Sequence, residues 1–411
     1  MSDGGGQARA PLAGVRVLEV GVFMAAPFAT MQLADLGAEV VKVENPDGGE
    51  PVRSTGPFVS GHSSPYLRLN RSKRSVALDL KSDEGRAAFL RLAATCDVVV
   101  ENLRPGAMRR LGLGYEEVRA INSGVVYASA SGFGQDGPLA DRPGLDIMAQ
   151  ARGGLMSITG TPDGAPVKVG VPLCDLVCGV YTALAVTAAL RERDRSGEGQ
   201  YIDVSLYESA VSLAVWEAGR YFATGEVGGP LGSAHQSQAP YQAFRTADGW
   251  ATLGAITPRT WTGLCDVLGL EDLWDDQSFA DSSGRHQRRE ELAVMVEDRT
   301  VALTTAELVA RLEGADVPCA PIADYGEVFT DEHLAARDFF WDAPHPVAGP
   351  VRQIGSPMRF SRTPVQRAGA GPILGADTRA ALLEAGYAED EIDALVAAGT
   401  AREAEQAEEA R

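Results

Sequence analysis

The sequence is poor in the residues that staple small folds or hold metals. Its five cysteines, Cys96, Cys174, Cys178, Cys265 and Cys319, are odd in number, scattered and without a Cys-x-x-Cys pair. Neither a disulfide framework nor a thiolate zinc site is therefore expected. The five histidines, His62, His235, His286, His333 and His345, show no His-x-x-x-His or His-Glu-x-x-His spacing, so no metal is expected from that route. A Gly-x-Ser-x-Gly elbow is absent. The Gly21–Pro27 loop, where a dinucleotide fold would place its glycine fingerprint, lacks Gly-x-Gly-x-x-Gly, which disfavours a dinucleotide cofactor.

Positive charge is also scarce. Lys and Arg number 37 against 56 Asp and Glu, a net charge of −19 that repels nucleic acid and anionic membrane. The longest uncharged apolar run, Leu176 to Leu190, lies between Asp175 and Arg191. It is shorter than the ~20 residues needed to cross a bilayer and reads as a buried helix. The stretch from Met1 to Ala10 is Gly-rich and polar without an apolar signal core, so a cytoplasmic location is expected.

What is present is a globular composition, 45% hydrophobic and 23% charged over 411 residues, long enough for two or three domains. The first half alternates short β-branched runs with helical stretches, the pattern of a parallel sheet covered by helices. Strands are expected at Val15–Val20, Glu39–Glu44, Ser75–Leu80, Val98–Asn102, Val125–Ser129 and Tyr201–Leu206. Helices are expected at about Phe28–Leu36, Asp83–Ala94 with Ser82 as N-cap, Tyr115–Ile121 and Leu176–Arg193, with another ending near Ala223. The Gly- and Pro-containing stretch Thr224–Ser237 marks a boundary. Beyond it, Tyr241–Phe244 and Ala251–Gly254 flank an Asp248-Gly249 hairpin signal, and helices follow at about Arg259–Leu268, Arg288–Ala302 and Thr305–Leu312. Short strands near Ala320–Ile322 and Val351–Ile354 lead to a helical C-terminus, with a fraying Ala/Glu-rich helix end from about Ala401. The expected fold is α/β: a first domain with a helix-covered parallel sheet, closing near Ala223, and a smaller α+β region beyond the boundary.

Several residues could carry chemistry. The Gly21 to Pro27 loop joins the first strand to the first helix, whose free amides could meet an anion or merely pack. Basic residues concentrate in Leu67–Ser75, with Arg68, Arg71, Lys73 and Arg74, and again in Arg104, Arg109 and Arg110. Both groups fall at strand ends, where α/β sheets bind ligands, and both suit phosphates, although a solvated charged face is an equal reading for either alone. Asp175 stands in a small, apolar neighbourhood, Val169 to Gly179, where a carboxylate would lose hydration. As an N-cap it would close the following helix; as a nucleophile it would be kept ionised by that helix's N-terminus. Asp203 and Glu208 read as solvated or capping residues.

The segments Pro11–Glu19, Leu36–Glu44, Asn70–Ser75, Val100–Gly106, Gly132–Pro138, Ser196–Gln200, Pro240–Phe244 and Leu374–Thr378 together resemble the family III CoA-transferases, the group that includes formyl-CoA transferase, carnitine CoA-transferase and α-methylacyl-CoA racemase. The resemblance spans nearly the whole chain. It implies a large Rossmann-like domain built from both chain ends, residues 1–223 with a segment, 336–411, returning to it, and a smaller α+β domain over 224–335. It also implies a homodimer of two subunits threaded through one another as interlocked rings, acyl-CoA and a carboxylic acid as substrates, and no metal or redox cofactor. It places Asp175 at the acyl-carrying position. It implies coenzyme A contacts from Val22, Phe23, Met24, Ala25, Lys73, Arg74, Asn102 and Arg110; a substrate loop is expected at Gly232, Ser233, Ala234, His235 and Gln236, with the amides of Gly232 to His235 placed to stabilise oxyanions.

The racemase branch carries a His within the segment matching Pro143–Ile147, where this chain has Leu145. Racemisation needs an acid/base pair on opposite faces, so transfer is favoured over isomerisation; an acyl-CoA-binding relative without activity is the other alternative. The Gly232–Phe244 stretch lacks the glycine run of formyl-CoA transferase and is more similar to dicarboxylate members, with succinyl-CoA a possible donor. Arg259 is a candidate clamp for a distal carboxylate, with a plain surface arginine the stronger reading.

Overall fold

The computed structural model describes residues 9–274 and 276–404. The chain divides into two compact units, one drawn from Met1–Leu155, Val169–Val215 and Leu334–Arg411, the other from Met156–Lys168 and Trp216–His333.

The first unit is built on a seven-stranded sheet. Its strands are β1 (Arg16–Val20), β2 (Glu39–Glu44), β3 (Lys73–Leu78), β4 (Val98–Glu101), β5 (Val126–Ser131), β6 (Gln200–Ser205) and a terminal strand, Ala401–Arg402. Their order is terminal–β3–β2–β1–β4–β5–β6, all parallel except the terminal strand. Strands buried on both faces need continuous apolar runs, and Val98–Val100 and Val40–Val41 supply them. The α/β fold read from the sequence is present, and most element boundaries agree within about two residues.

One face of the sheet packs Leu18, Val41, Val99 and Tyr127 against the helix α2 (Asp83–Ala93) and the C-terminal helices. The other packs Val17, Val40, Val98 and Val126 against α1 (Ala25–Asp35) and the long helix Leu173–Ser196. Between β4 and β6 lie α3 (Tyr115–Ile121), α4 (Asp146–Arg152) and α5 (Leu173–Ser196), and α6 (Leu206–Ser212) follows β6. Helix α5 has the length and hydropathy of a membrane span. Its Ala183, Val186, Ala189 and Leu190 are buried against the sheet.

Strand order reverses between β1 and β4, and in an open α/β sheet the ligand crevice lies beyond the carboxyl ends of the strands at such a point. The loops after Val20 and Glu101 therefore flank it.

Three expectations are corrected. Helix α5 begins at Leu173, after Pro172, so Asp175 is its third residue and not its N-cap. The helix after β6 is broken in two, Leu206–Ser212 and Val215–Thr224. The chain near Ala401 forms a strand on the edge of the sheet, not a helix end; the rest of that tail, from residue 405, lies outside the described residues.

The second unit holds an antiparallel sheet in which Tyr241–Arg245 and Cys319–Pro321 flank Trp250–Gly254. The helices Pro258–Leu268, Arg289–Thr300 and Thr305–Gly314 cover it around Phe244, Leu264, Val296 and Leu308.

Candidate active site

Two loops meet at the switch point. The Val22 amide donates to Asn102 Oδ1 at 2.8 Å, and Asn102 Nδ2 donates back to the Val22 carbonyl at 2.8 Å. This reciprocal pair ties the end of β1 to the end of β4. Next to it Phe23 takes φ of 58°, a left-handed conformation that is strained for a bulky residue. It is held there by its N–H on Glu50 Oε2 at 3.0 Å, with its ring largely in solvent. Met24 and Ala25 open α1, which no side chain caps.

Beneath the loop lies a buried charge cluster. Lys42 Nζ reaches Glu19 Oε1 at 2.7 Å, the Gly21 carbonyl at 2.7 Å and Glu50 Oε1 at 3.1 Å. Lys73 Nζ reaches Glu19 Oε2 at 2.8 Å, the Pro27 carbonyl at 2.9 Å and Asn70 Oδ1 at 2.9 Å. Burial alone would raise the Glu19 carboxyl, but the two ammonium groups outweigh it and hold it down at about 2. Burial lowers Lys73 to about 8 against the pull of Glu19. An ammonium has three donors, and those of Lys73 are spent inside the protein.

The basic cluster of residues 67–75 is likewise committed to structure. Arg71 makes a buried bidentate pair with Asp35 at 3.0 and 2.6 Å. Arg74 joins Glu39, Asp377 and Glu384. Glu39 is the first residue of β2, so Arg74 stands at the amino edge of the sheet, opposite the crevice. The structure thus brings Val22, Phe23, Met24, Ala25 and Asn102 together and leaves Lys73 and Arg74 out of reach of a ligand there.

The second basic group is open. Arg104, Arg109 and Arg110 are exposed in the loop and short helix after β4. The guanidinium groups of Arg109 and Arg110 come within 3.4 Å of where a Cβ on Gly106 would stand. Arg110 donates to the Pro105 carbonyl at 3.4 Å, and among the described residues none of the three has a salt-bridge partner. A cavity of about 320 Å³ opens at the carboxyl ends of β1, β2 and β3, lined by Val22, Asn45, Leu80, Lys81 and Leu103. A second, also about 320 Å³, lies between Arg109, Tyr115, Glu101 and Tyr201, where burial pushes the Glu101 carboxyl up to about 7.

Asp175 is partly exposed in the first turn of α5. Every strand from β1 to β6 runs parallel and α5 leads into β6, so the start of α5 lies at the carboxyl edge, on the side of the switch point. Gly179, one turn later, lets α5 approach α1 closely: a Cβ there would stand 2.9 Å from the Ala25 carbonyl and 3.0 Å from the Phe28 ring. Cys174 and Cys178 share a core with Ala25.

The first-turn amides of α5 are closed not by Asp175 but by Asp146 of α4. Its Oδ1 accepts from Cys174 N at 2.8 Å and Asp175 N at 3.4 Å. Burial, then the Asp146 charge, push the Asp175 carboxyl up to about 7. Burial and the like charge of Asp146 thus act against the ionised form that a helix N-terminus favours. Asp146 is the residue sequence reading missed, because its role depends on a contact 28 and 29 positions away. Glu19 and Lys42 had a signal, being charges inside otherwise apolar central strands, which must be paired when buried.

In the second unit, Gly232 has φ of 63° and donates its amide to the Gly160 carbonyl at 2.8 Å. The Ala234 and His235 amides go to Leu231 and Tyr241 carbonyls at 3.1 and 3.0 Å. The amides of Gly232, Ala234 and His235 are thus internally hydrogen-bonded. Ser233 Oγ accepts from Ala243 N at 3.0 Å. The His235 ring stacks on Tyr241 at 4.9 Å with Trp216 edge-on at 5.8 Å, and Gln236 follows in the same exposed-to-intermediate loop. Arg259 pairs with Asp316 on the surface.

Residues 12–378 match CoA-transferase family III. The chain is 39% identical over 391 residues to the mouse succinyl-CoA:glutarate CoA-transferase, covering 95% of this chain and 90% of that protein. It is 39% identical over 380 residues to the succinyl-CoA:mesaconate CoA-transferase of Haloarcula hispanica, covering 90% and 95%. A crystal structure of a CAIB/BAIF family protein from Brucella suis superposes with a TM-score of 0.83 at 35% identity, over 92% of this chain and all of that one.

Proposed function

The chain belongs to CoA-transferase family III and is an enzyme of CoA transfer, and from that premise we propose that it moves coenzyme A from succinyl-CoA to a small dicarboxylic acid through Asp175. The observation that carries the reading is a carboxylate in the first turn of α5 that is relieved of capping and partly exposed at the carboxyl edge of the sheet. The names of the relatives support a dicarboxylate substrate pair.

In the first step an Asp175 carboxylate oxygen attacks the thioester carbonyl carbon. The C–S bond breaks and leaves an aspartyl acyl anhydride and CoA thiolate. The acceptor carboxylate then attacks the aspartyl carbonyl, displaces the donor acid and leaves its own acyl group on Asp175. The thiolate attacks that acyl carbon, forms the new thioester and restores Asp175. The uncapped start of α1, at Met24 and Ala25, offers N–H groups to the oxyanion of these intermediates, each such donor contributing ~3 kcal/mol. Arg104, Arg109 and Arg110 suit the phosphates of coenzyme A, and the cavity beside Val22 and Leu103 suits its adenosine half.

The active form in this reading is a cytoplasmic homodimer. The exposed apolar face of α5, Val180, Tyr181 and Leu184, is the surface a second copy would cover.

Hydroxylamine added with succinyl-CoA should convert Asp175 to a hydroxamate, found by peptide mass spectrometry, and Asp175→Ala should abolish exchange of labelled acids. Normal turnover by that variant refutes the mechanism.

A further inference from the structure

We infer that Asp146 is a positioning residue for Asp175: it closes the first turn of α5 with its own carboxylate and so keeps the Asp175 side chain free for acyl transfer. The inference rests on the role proposed above for Asp175.

The geometry is a relay. The Val169 amide donates to Gln150 Oε1 at 2.9 Å, Gln150 Nε2 donates to Asp146 Oδ2 at 2.6 Å, and Asp146 Oδ1 takes the Cys174 and Asp175 amides. One oxygen of Asp146 is thus anchored and the other caps. The segment before it is fixed by the close approach of Gly132 and Gly144, where a Cβ on Gly132 would stand 2.7 Å from Gly144 Cα.

A cap from outside is needed because Pro172 occupies the N-cap position and has no polar side chain. Without it, the orphan amides of the first turn would compete for the nearest carboxylate, which is that of Asp175. The cap also carries a charge. Asp146 is the charged group acting on Asp175 among the described residues. The other titratable neighbours, the Cys174 and Cys178 thiols, are pushed by burial to about 12 and stay neutral. The second charge raises the basicity of the attacking oxygen at the cost of its ionisation in acid.

Two variants separate capping from charge. In Asp146→Ala both are lost: transfer should fall at least tenfold at every pH, and the Cys174 and Asp175 amides should exchange faster with deuterium. In Asp146→Asn with Gln150→Glu, every hydrogen bond of the relay can be made again with the charge moved one residue outward. This variant should keep measurable transfer, with the acid limb of kcat/KM displaced to lower pH by about half to one unit, as expected on moving a like charge away. The inference is overturned if the double variant keeps the wild-type midpoint, or if Asp146→Ala transfers at the wild-type rate. Should the wild-type protein transfer nothing, the reading of Asp175 fails, while amide exchange still reports the cap.

Discussion

Asp175 should weaken the fold it belongs to whenever it is charged. Its carboxyl is raised from 3.8 to about 7, first by burial and then by Asp146. The folded state thus holds this proton to higher pH than the unfolded chain does. Linkage then requires stability to fall as pH climbs from about 4 to about 7, and to stay at the lower value above. The gap between the two values corresponds to about 4 kcal/mol at 1.36 kcal/mol per pH unit. The side chain keeps part of its contact with water, which screens the effect, so a net of about 1–3 kcal/mol is expected. Asp175→Asn has the same shape and no charge. Equilibrium urea unfolding of both proteins at pH 4.5 and pH 8.5 measures the difference, with other carboxylates cancelling in the comparison. The variant should gain about 1–3 kcal/mol over wild type on going from the lower to the higher pH. A gain that is flat, or that shrinks as pH rises, refutes the assignment of a costly buried charge at this position.

Lys73→Met leaves Glu19 buried without one of its two cations and should cost about 3–5 kcal/mol, seen as a large fall in thermal midpoint. Arg74→Ala, at the opposite sheet edge, should cost less than about 1 kcal/mol and leave the KM for acyl-CoA unaltered. Arg109→Ala should raise that KM about tenfold, as for loss of one charged hydrogen bond, and the effect should shrink at high salt. Gly179→Ala pushes a methyl to within 2.9 Å of the Ala25 carbonyl; separating α5 from α1 should cost about 1–3 kcal/mol, read by calorimetry, and lower kcat more than it changes KM.

The α/β architecture was legible because its signals are local: Val-rich runs, Ser82 as a cap that Gly85 confirms at 3.0 Å, and the Asp248-Gly249 turn between paired strands. The loop after β1 and Asn102, singled out through motif resemblance, lie side by side as a reciprocal hydrogen-bonded pair. Less legible was the fate of individual charges. Lys73 and Arg109 look alike in sequence, yet one is sealed against Glu19 and the other faces solvent. That difference depends on which strand lies beside which, information absent from either segment alone. The start of α5 was misplaced for a similar reason: the polar group that permits it, Asp146, belongs to another helix.

The pairing of Ala401 with Leu78 and of Arg402 with Ala77 joins residues made at opposite ends of synthesis. Until the ribosome has passed residue 402, the outer N–H and C=O groups of β3 have no strand beside them. At 5–20 residues per second that wait is on the order of tens of seconds, during which an unprotected strand margin can recruit another nascent chain. The two residues of this terminal strand thus act as a late seal, and shortening the protein to residue 399 should show first as lower yield of soluble material in cells and only second as lost activity.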